Sequence, residues 1–344
     1  AAAGFNLVRT PADQEALDQA HQAGLYSWIS VGAIDSQRQT PSTEEIKKTI
    51  QQFKDHPSLL LWETVDEPAW TWNKAEWRVP PKTIIETYQI IKSIDAQHLV
   101  YLNHAPANLV GTLEKYNPGT DIVACDIYPV IKPNTPPLYG LFPDGYHGCM
   151  LNPYISQIAL YVDKMRKVAG PDRPVFMVLQ AFAWENLREK PIDSLVLYPT
   201  HHELRFMAYQ TIINGANGIN FWGLNYVPAR SPFWNDLKSV VAELASIKDI
   251  LASSTKTIRL VKRYHELGYD IDMGVQILAK KARGAYYLLT VNTDKNPAKV
   301  SISGFGRDKV AKVLFENRKI QIENRQLTDY YKPFEVHIYE LGEE

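Results

Sequence analysis

Two neighbouring carboxyl residues, Asp66 and Glu67, end the largely apolar run Leu59 to Val65 and stand directly before Pro68. Adjacent side chains at a strand end point in different directions. One carboxyl can therefore face a reacting group while neighbours hold the other. A carboxylic acid beside a carboxylate is the equipment of general acid–base hydrolysis. The proline predicts an extended backbone at Glu67. Trp70, Trp72 and Trp77 follow closely. Indole rings are flat apolar platforms of the kind that line small-molecule sites.

Further candidates sit where other apolar runs stop. Asn103 and His104 end one run and could hydrogen-bond a substrate. Asp126 and Tyr128 follow the next; they alternate along the chain and share a side if the strand continues. The run at 175–179 ends in Gln180, with Trp184 and Glu185 shortly after. Trp222 closes the last run. His201-His202-Glu203 lacks the spacing of a helical zinc motif and reads as a helix start. Gly215 to Gly218 reads as a loop, and no glycine pattern of a phosphate cradle occurs. No catalytic metal or cofactor is expected.

The elements that must position these residues alternate. Strands are expected at 5–8, 26–31, 59–64, 99–102, 122–125, 175–179 and 219–222. Most are apolar on both faces, as in a parallel sheet covered by helices. Helices are expected at 11–23, 83–94, 155–168, 203–213 and 237–250. Another runs from 42 to 53, opened by the capping-box pattern Ser42-x-x-Glu45. Repeated β–α units predict a parallel α/β architecture. Seven strands are one short of a closed (β/α)8 barrel. The chain opens at Ala1-Ala2-Ala3-Gly4, directly before a strand, and the expectation is that a first strand is absent from it. After about residue 255 the pattern changes to short strands at 286–291, 299–303, 310–315 and 334–339. The expected division is a barrel over 1–254 and a small all-β sandwich over 255–344.

The 344 residues carry 37 Lys and Arg against 38 Asp and Glu, a net charge of -1. No strong field favours nucleic acid or an anionic membrane, so neither is an expected partner. No apolar stretch approaches the ~20 residues of a membrane span. No signal peptide opens the chain, which fits an extracellular or periplasmic protein only if a leader was removed. Of the 2 cysteines, Cys125 lies in an apolar run and reads as a buried free thiol.

In order and content, these strand ends resemble the clan of retaining glycosidases on (β/α)8 barrels that includes the family 5 cellulases. In that clan the fourth strand ends in Asn-Glu-Pro, whose Glu is the acid/base. Asp66-Glu67-Pro68 is similar, with Asp for Asn. Gly4 to Arg9 resembles the second strand, whose arginine supports the site. Tyr128 and Trp222 resemble the tyrosine near the nucleophile and the tryptophan under the cleaved sugar. The similarity covers about residues 4 to 250. It implies a polysaccharide or oligosaccharide substrate of the glucan, cellulose or xylan type. Trp70, Trp72, Trp184 and Trp222 would be sugar platforms, and Arg9, Asp66 and His104 further substrate contacts.

One position departs from the clan. Its nucleophile is a Glu ending the seventh strand, where this chain has Gln180. An amide cannot form a glycosyl-enzyme ester. Four readings stand open. The glutamine is natural and another carboxylate, such as Asp126, serves; Glu185 reaches the site from its loop; the glutamine is an engineered substitution; or the barrel binds carbohydrate without catalysis. A carboxylate pair near Glu67 separates an enzyme from a binding module.

Overall fold

The structure is a computed structural model that describes residues 1–34, 41–70, 75–149, 151–266, 274–306 and 309–342. Strands β1 (Leu7–Thr10), β2 (Tyr26–Ser30), β3 (Leu59–Glu63), β4 (Leu99–His104) and β5 (Ile122–Ile127) come first. A short hairpin, β6 (Tyr139–Leu141) and β7 (His147–Cys149), separates them from β8 (Val175–Gln180) and β9 (Gly218–Trp222). The parallel sheet has the order β1-β2-β3-β4-β5-β8-β9. It follows chain order apart from the hairpin, as βαβ repetition requires.

Helices α1 (Gln14–Gln22), α2 (Thr43–Phe53), α3 (Pro81–Ile94) and α4 (Val110–Leu113) alternate with these strands. Asp13 caps α1, and Ser42 and Glu45 form the expected reciprocal box at α2. Such caps satisfy amide groups that the first turn leaves open. Period-two alternation then sorts the sheet into two faces. Leu17, Ile46, Ile50 and Ile91 from the helices pack with Ile29, Trp62 and Val100 on the outer face. Leu61, Tyr101, Ile122 and Ala124 cluster on the inner face, joined by Leu7, Trp28 and Phe176. A Cβ on Gly218 would come within 2.6 Å of the Phe176 ring, so the absent side chain makes room for that ring.

Two compact units divide the chain. The first spans 1–154, 160–198 and 216–228, and the second 155–159, 199–215 and 229–344. Helix α5 (Ile158–Ala169) crosses this division, whereas α6 (His201–Ile213), α7 (Pro232–Ser246) and α8 (Lys248–Ala252) fall in the second unit. There Arg205 of α6 pairs with Glu243 of α7 at 2.8 Å and donates to the Val336 carbonyl. The histidine pair at 201–202 does open α6, with Thr200 and Glu203 as its capping box.

The rest of the second unit is antiparallel. Its strands are β10 (Val261–Glu266), β11 (Val275–Ala282), β12 (Ala285–Asn292), β13 (Ala298–Ser303), β14 (Val310–Val313), β15 (Arg318–Gln321), β16 (Gln326–Tyr331) and β17 (Val336–Gly342). Sheets β11-β12-β17-β14-β15 and β10-β13-β16 share one core, with Leu288, Tyr339 and Leu341 packed alongside Val300, Ile302 and Leu327. Four of these strands, β10, β11, β15 and β16, were not expected. Lysines, arginines and polar residues break up their apolar pattern. The turn from β11 to β12 is Arg283-Gly284, both at positive φ. That geometry suits a two-residue hairpin but lacks the usual Asn-Gly or Asp-Gly signature.

Candidate active site

The inner-face alternation continues past the apolar cluster to the C-terminal strand ends. Two residues beyond Leu7, Leu61, Tyr101, Ala124 and Phe176 come Arg9, Glu63, Asn103, Asp126 and Val178. With Asp66, Glu67, Trp70, Tyr128, Trp184, Asn220 and Trp222 they line a cavity of about 390 Å³. Catalytic groups gather at this end of parallel barrels.

Glu67 departs from the expected backbone. Its φ is +47°, left-handed rather than extended. Its N–H donates to the Asn103 carbonyl at 3.0 Å, and its carbonyl accepts from Trp70 N–H at 3.0 Å. These bonds close a tight turn, and they override the preference that Pro68 imposes. A non-glycine residue held there costs ~1–3 kcal/mol, a cost found often at functional sites.

The Glu67 and Asp126 carboxyls are hydrogen-bonded to each other. Burial, then the charges of Asp126 and Asp66, hold Glu67 well above the usual carboxylate range. Burial and Asp66 raise Asp126 to about 7, while the hydrogen bond from Glu67 favours its ionised form. The pair thus shares one proton, with Glu67 as its holder. Asn103 Nδ2 donates to Asp66 at 3.0 Å and to Asp126 at 3.1 Å, fixing both carboxylates from one amide.

Arg9 donates to Glu63 at 2.8 Å. Glu63 is almost fully buried, and burial raises its carboxyl against the pull of Arg9. Tyr101, also buried, lines the cavity together with Asn220. Sequence reasoning missed Glu63, Trp28, Tyr101 and Asn220. The period-two pattern that marks Arg9 could have found them, but continuous apolar runs hide it.

An aromatic wall faces the carboxyls. Tyr128 stacks on Trp222 with ring centroids 5.5 Å apart, and Phe182 meets Trp222 edge-on at 4.9 Å. Trp184 donates to the Tyr128 carbonyl at 3.3 Å. Trp222 keeps 40% of its surface exposed. Trp70 lines the cavity and packs on Phe142. Trp72 lies outside the described residues.

Three expected site residues point elsewhere. Gln180 is fully buried and absent from the lining; its amide donates to the Val130 and Phe182 carbonyls at 2.9 and 3.0 Å, and its oxygen accepts from Val130 N–H at 2.9 Å. It fastens two loop backbones together. Glu185 accepts from Ile192 N–H at 3.1 Å and pairs with Arg188, again away from the cavity. His104 follows Asn103 and so takes the opposite face of β4. It is fully buried, and burial, then the Lys164 charge, pushes its ring down to about 3. It stays neutral against Tyr116.

Cys125 is buried and Cys149 exposed, both as free thiols. Among the described residues, no group of three or more His, Cys, Asp and Glu side chains could hold a metal, and no helix is long and apolar enough to cross a membrane. A second cavity, of about 580 Å³, lies in the second unit; it is lined by Lys312, Phe315, Arg318 and Lys319 among others, and no carboxylate.

No protein-family model matches the chain, and no curated protein matches it by sequence. Solved structures do. A glycoside hydrolase family 5 protein from Bacteroides vulgatus superposes with a TM-score of 0.62 at 12% identity, covering 99% of this chain and 83% of that one. A β-galactosidase from Bacillus circulans sp. alkalophilus gives 0.57 at 8%, covering 99% and 95%. An α-amylase from Anoxybacillus gives 0.57 at 10%, covering 96% and 78%. The fold is a TIM-like (β/α) barrel followed by a small all-β region. These neighbours are glycoside hydrolases named for both α- and β-linked substrates, so the shared fold leaves the substrate to be argued from the site.

Proposed function

We propose that this chain hydrolyses glycosidic bonds in a β-linked glycan, with Glu67 as the general acid. The observation that carries the reading is the proton-sharing pair of half-buried Glu67 and buried Asp126 in an aromatic-walled cavity. Breaking a glycosidic bond needs a proton at the departing oxygen, and a carboxyl that stays protonated near neutrality supplies it. Asp126 is the member of the pair that gives up its proton more readily, and in its ionised form it stabilises positive charge developing at the anomeric carbon. Asn103 keeps Asp66 and Asp126 in register with the acid. Trp222 and Tyr128 offer ring faces on which a sugar can stack.

The resemblance to family 5 cellulases favours a β-linked polysaccharide backbone, with glucan and xylan as the first to be assayed. Substrates of this kind are uncharged, in keeping with the near-zero net charge. A panel of β-glycans and aryl β-glycosides tests the reading. Glu67→Gln is expected to lower kcat by ~10²–10⁴-fold on whichever substrate is cleaved, the usual contribution of a positioned acid. Full activity in that variant would remove Glu67 from the chemistry.

A further inference from the structure

The carboxyls occupy one arc of the barrel mouth. Glu63, Asp66 and Glu67 belong to the end of β3, and Asp126 to the end of β5. The facing arc, β8 and β9 with the loops after them, lines the cavity with Val178, Phe182, Trp184, Asn220, Phe221 and Trp222, and with no carboxylate. Retention by an enzyme nucleophile needs a second carboxylate ~5–5.5 Å from the acid, and inversion needs one at ~6.5–9.5 Å. Asp126 shares a proton with Glu67, so it stands against the acid rather than across the cavity from it. Glu63 is engaged by Arg9, and Asp66 by Asn103.

We infer that the nucleophile is carried by the substrate: the chain cleaves β-linked glycans whose reacting sugar bears a 2-acetamido group. The inference rests on Glu67 being the acid, and it sets the substrate apart from unsubstituted glucan or xylan. The amide carbonyl oxygen attacks the anomeric carbon as the bond to the leaving oxygen breaks, and Glu67 gives that oxygen its proton. A cyclic oxazolinium ion remains. Asp126, ionised and next to the acid, accepts the amide N–H and balances the positive charge. Water then attacks the anomeric carbon, Glu67 takes a proton from it, and the ring opens to restore the acetamide. Net change is the addition of one water. Attack must come from the face opposite the leaving group, so the acetamido group must be trans to it, as in β-glucosaminides and β-galactosaminides.

The surroundings suit an amide. Trp28 Nε1 and Asn103 Oδ1 are buried polar atoms of cavity-lining residues, and neither has a hydrogen-bond partner among the described residues. Trp28 Nε1 is a donor for the acetamide carbonyl, and Asn103 Oδ1 an acceptor for a hydroxyl of the same sugar. The Trp28 and Tyr101 rings, 6.2 Å apart, give an apolar seat for the methyl group.

The test compares 4-methylumbelliferyl β-glycosides of N-acetylglucosamine and N-acetylgalactosamine with those of glucose, galactose and xylose. A site built around the amide is expected to favour the acetamido sugars by ~10⁴-fold in kcat/KM. Replacing acetyl with mono-, di- and trifluoroacetyl should lower kcat/KM stepwise, because each fluorine weakens the carbonyl as nucleophile. A thiazoline analogue of the bicyclic intermediate should inhibit competitively. Asp126→Asn should lower kcat far more than it changes KM. Cleavage of the 2-hydroxy sugars, lost in Glu67→Gln, with the acetamido sugars inert or insensitive to fluorination, would overturn this inference and leave the acid in place. Cleavage that survives Glu67→Gln, or no cleavage of either set, would overturn the acid as well.

Discussion

At the scale of single residues, Glu67 is placed at a cost. It sits in left-handed backbone, half-buried, beside two other carboxyls. Its raised carboxyl means that the folded state binds a proton which the unfolded chain releases above the ordinary value of 4.5. Stability from this group therefore falls as pH rises from that value toward the folded one. Glu67→Gln should melt higher than the parent near pH 8, with the gap closing toward pH ~4.5. Thermal melts across that range check the sign. Gln180 gives the opposite lesson. Its position along β8 matched a nucleophile, yet both ends of its amide are spent on backbone. Gln180→Glu would set a carboxyl against two carbonyl oxygens and lose two donated bonds. It should cost at least ~1–3 kcal/mol and bring no gain in hydrolysis. A rise in activity would return position 180 to the chemistry. Sequence alone ranks polar residues by where a strand ends; it does not show what loop backbone will come to meet them.

At the scale of elements, the parallel strands were legible because most are apolar on both faces, and helices such as α1 and α2 between them open on side-chain caps. Their inward and outward faces were not. A run such as Leu59-Leu60-Leu61-Trp62-Glu63 shows no alternation in hydrophobicity, so Glu63 looks like a chain-end accident, although it lines the cavity beside Arg9. The same blindness put His104 at the site: it neighbours Asn103 in sequence and lies on the other side of β4. The end of β9 depends on Gly223, which has φ +100° and whose added Cβ would lie 2.6 Å from Phe182 Cβ. Gly223→Ala should displace Phe182 and tilt the neighbouring Trp222 ring. Expected are a loss of ~1–3 kcal/mol in stability and a larger rise in KM than fall in kcat. Unchanged KM would separate the wall from substrate binding.

At the scale of the whole chain, the switch from alternating β–α units to short strands was plain in the sequence. The antiparallel strands rich in lysine and arginine were not. Some of that polarity is internal. His337, 2% exposed, meets Asp329 at 3.0 Å, while Arg318 and Tyr339 also bond Asp329. Burial works against the charged ring, but Asp329 and Glu335 outweigh it and raise His337 above the ordinary 6.5. Burial likewise opposes ionised Asp329, and His337 and Arg318 outweigh it, lowering Asp329 below 3.8. The histidine's stabilisation is complete below pH 6.5 and is lost as pH rises through its folded value. The aspartate's is present above 3.8 and is lost as pH falls through its own. The second unit should accordingly melt highest in mildly acid solution. His337→Gln should flatten the alkaline decline, which differential scanning calorimetry between pH 5 and 9 would read. An unaltered slope would assign the decline to other groups.

The clasp formed by Gln180 bears on how a glycan can arrive. One amide holds the loop after β5 to the loop after β8, and the rings of Tyr128, Phe182 and Trp184 ride on those two loops. A mouth fastened in this way is a stencil. It admits a chain by outline, before any proton moves, and a branch or bulky decoration that misses the outline is turned away at the rim.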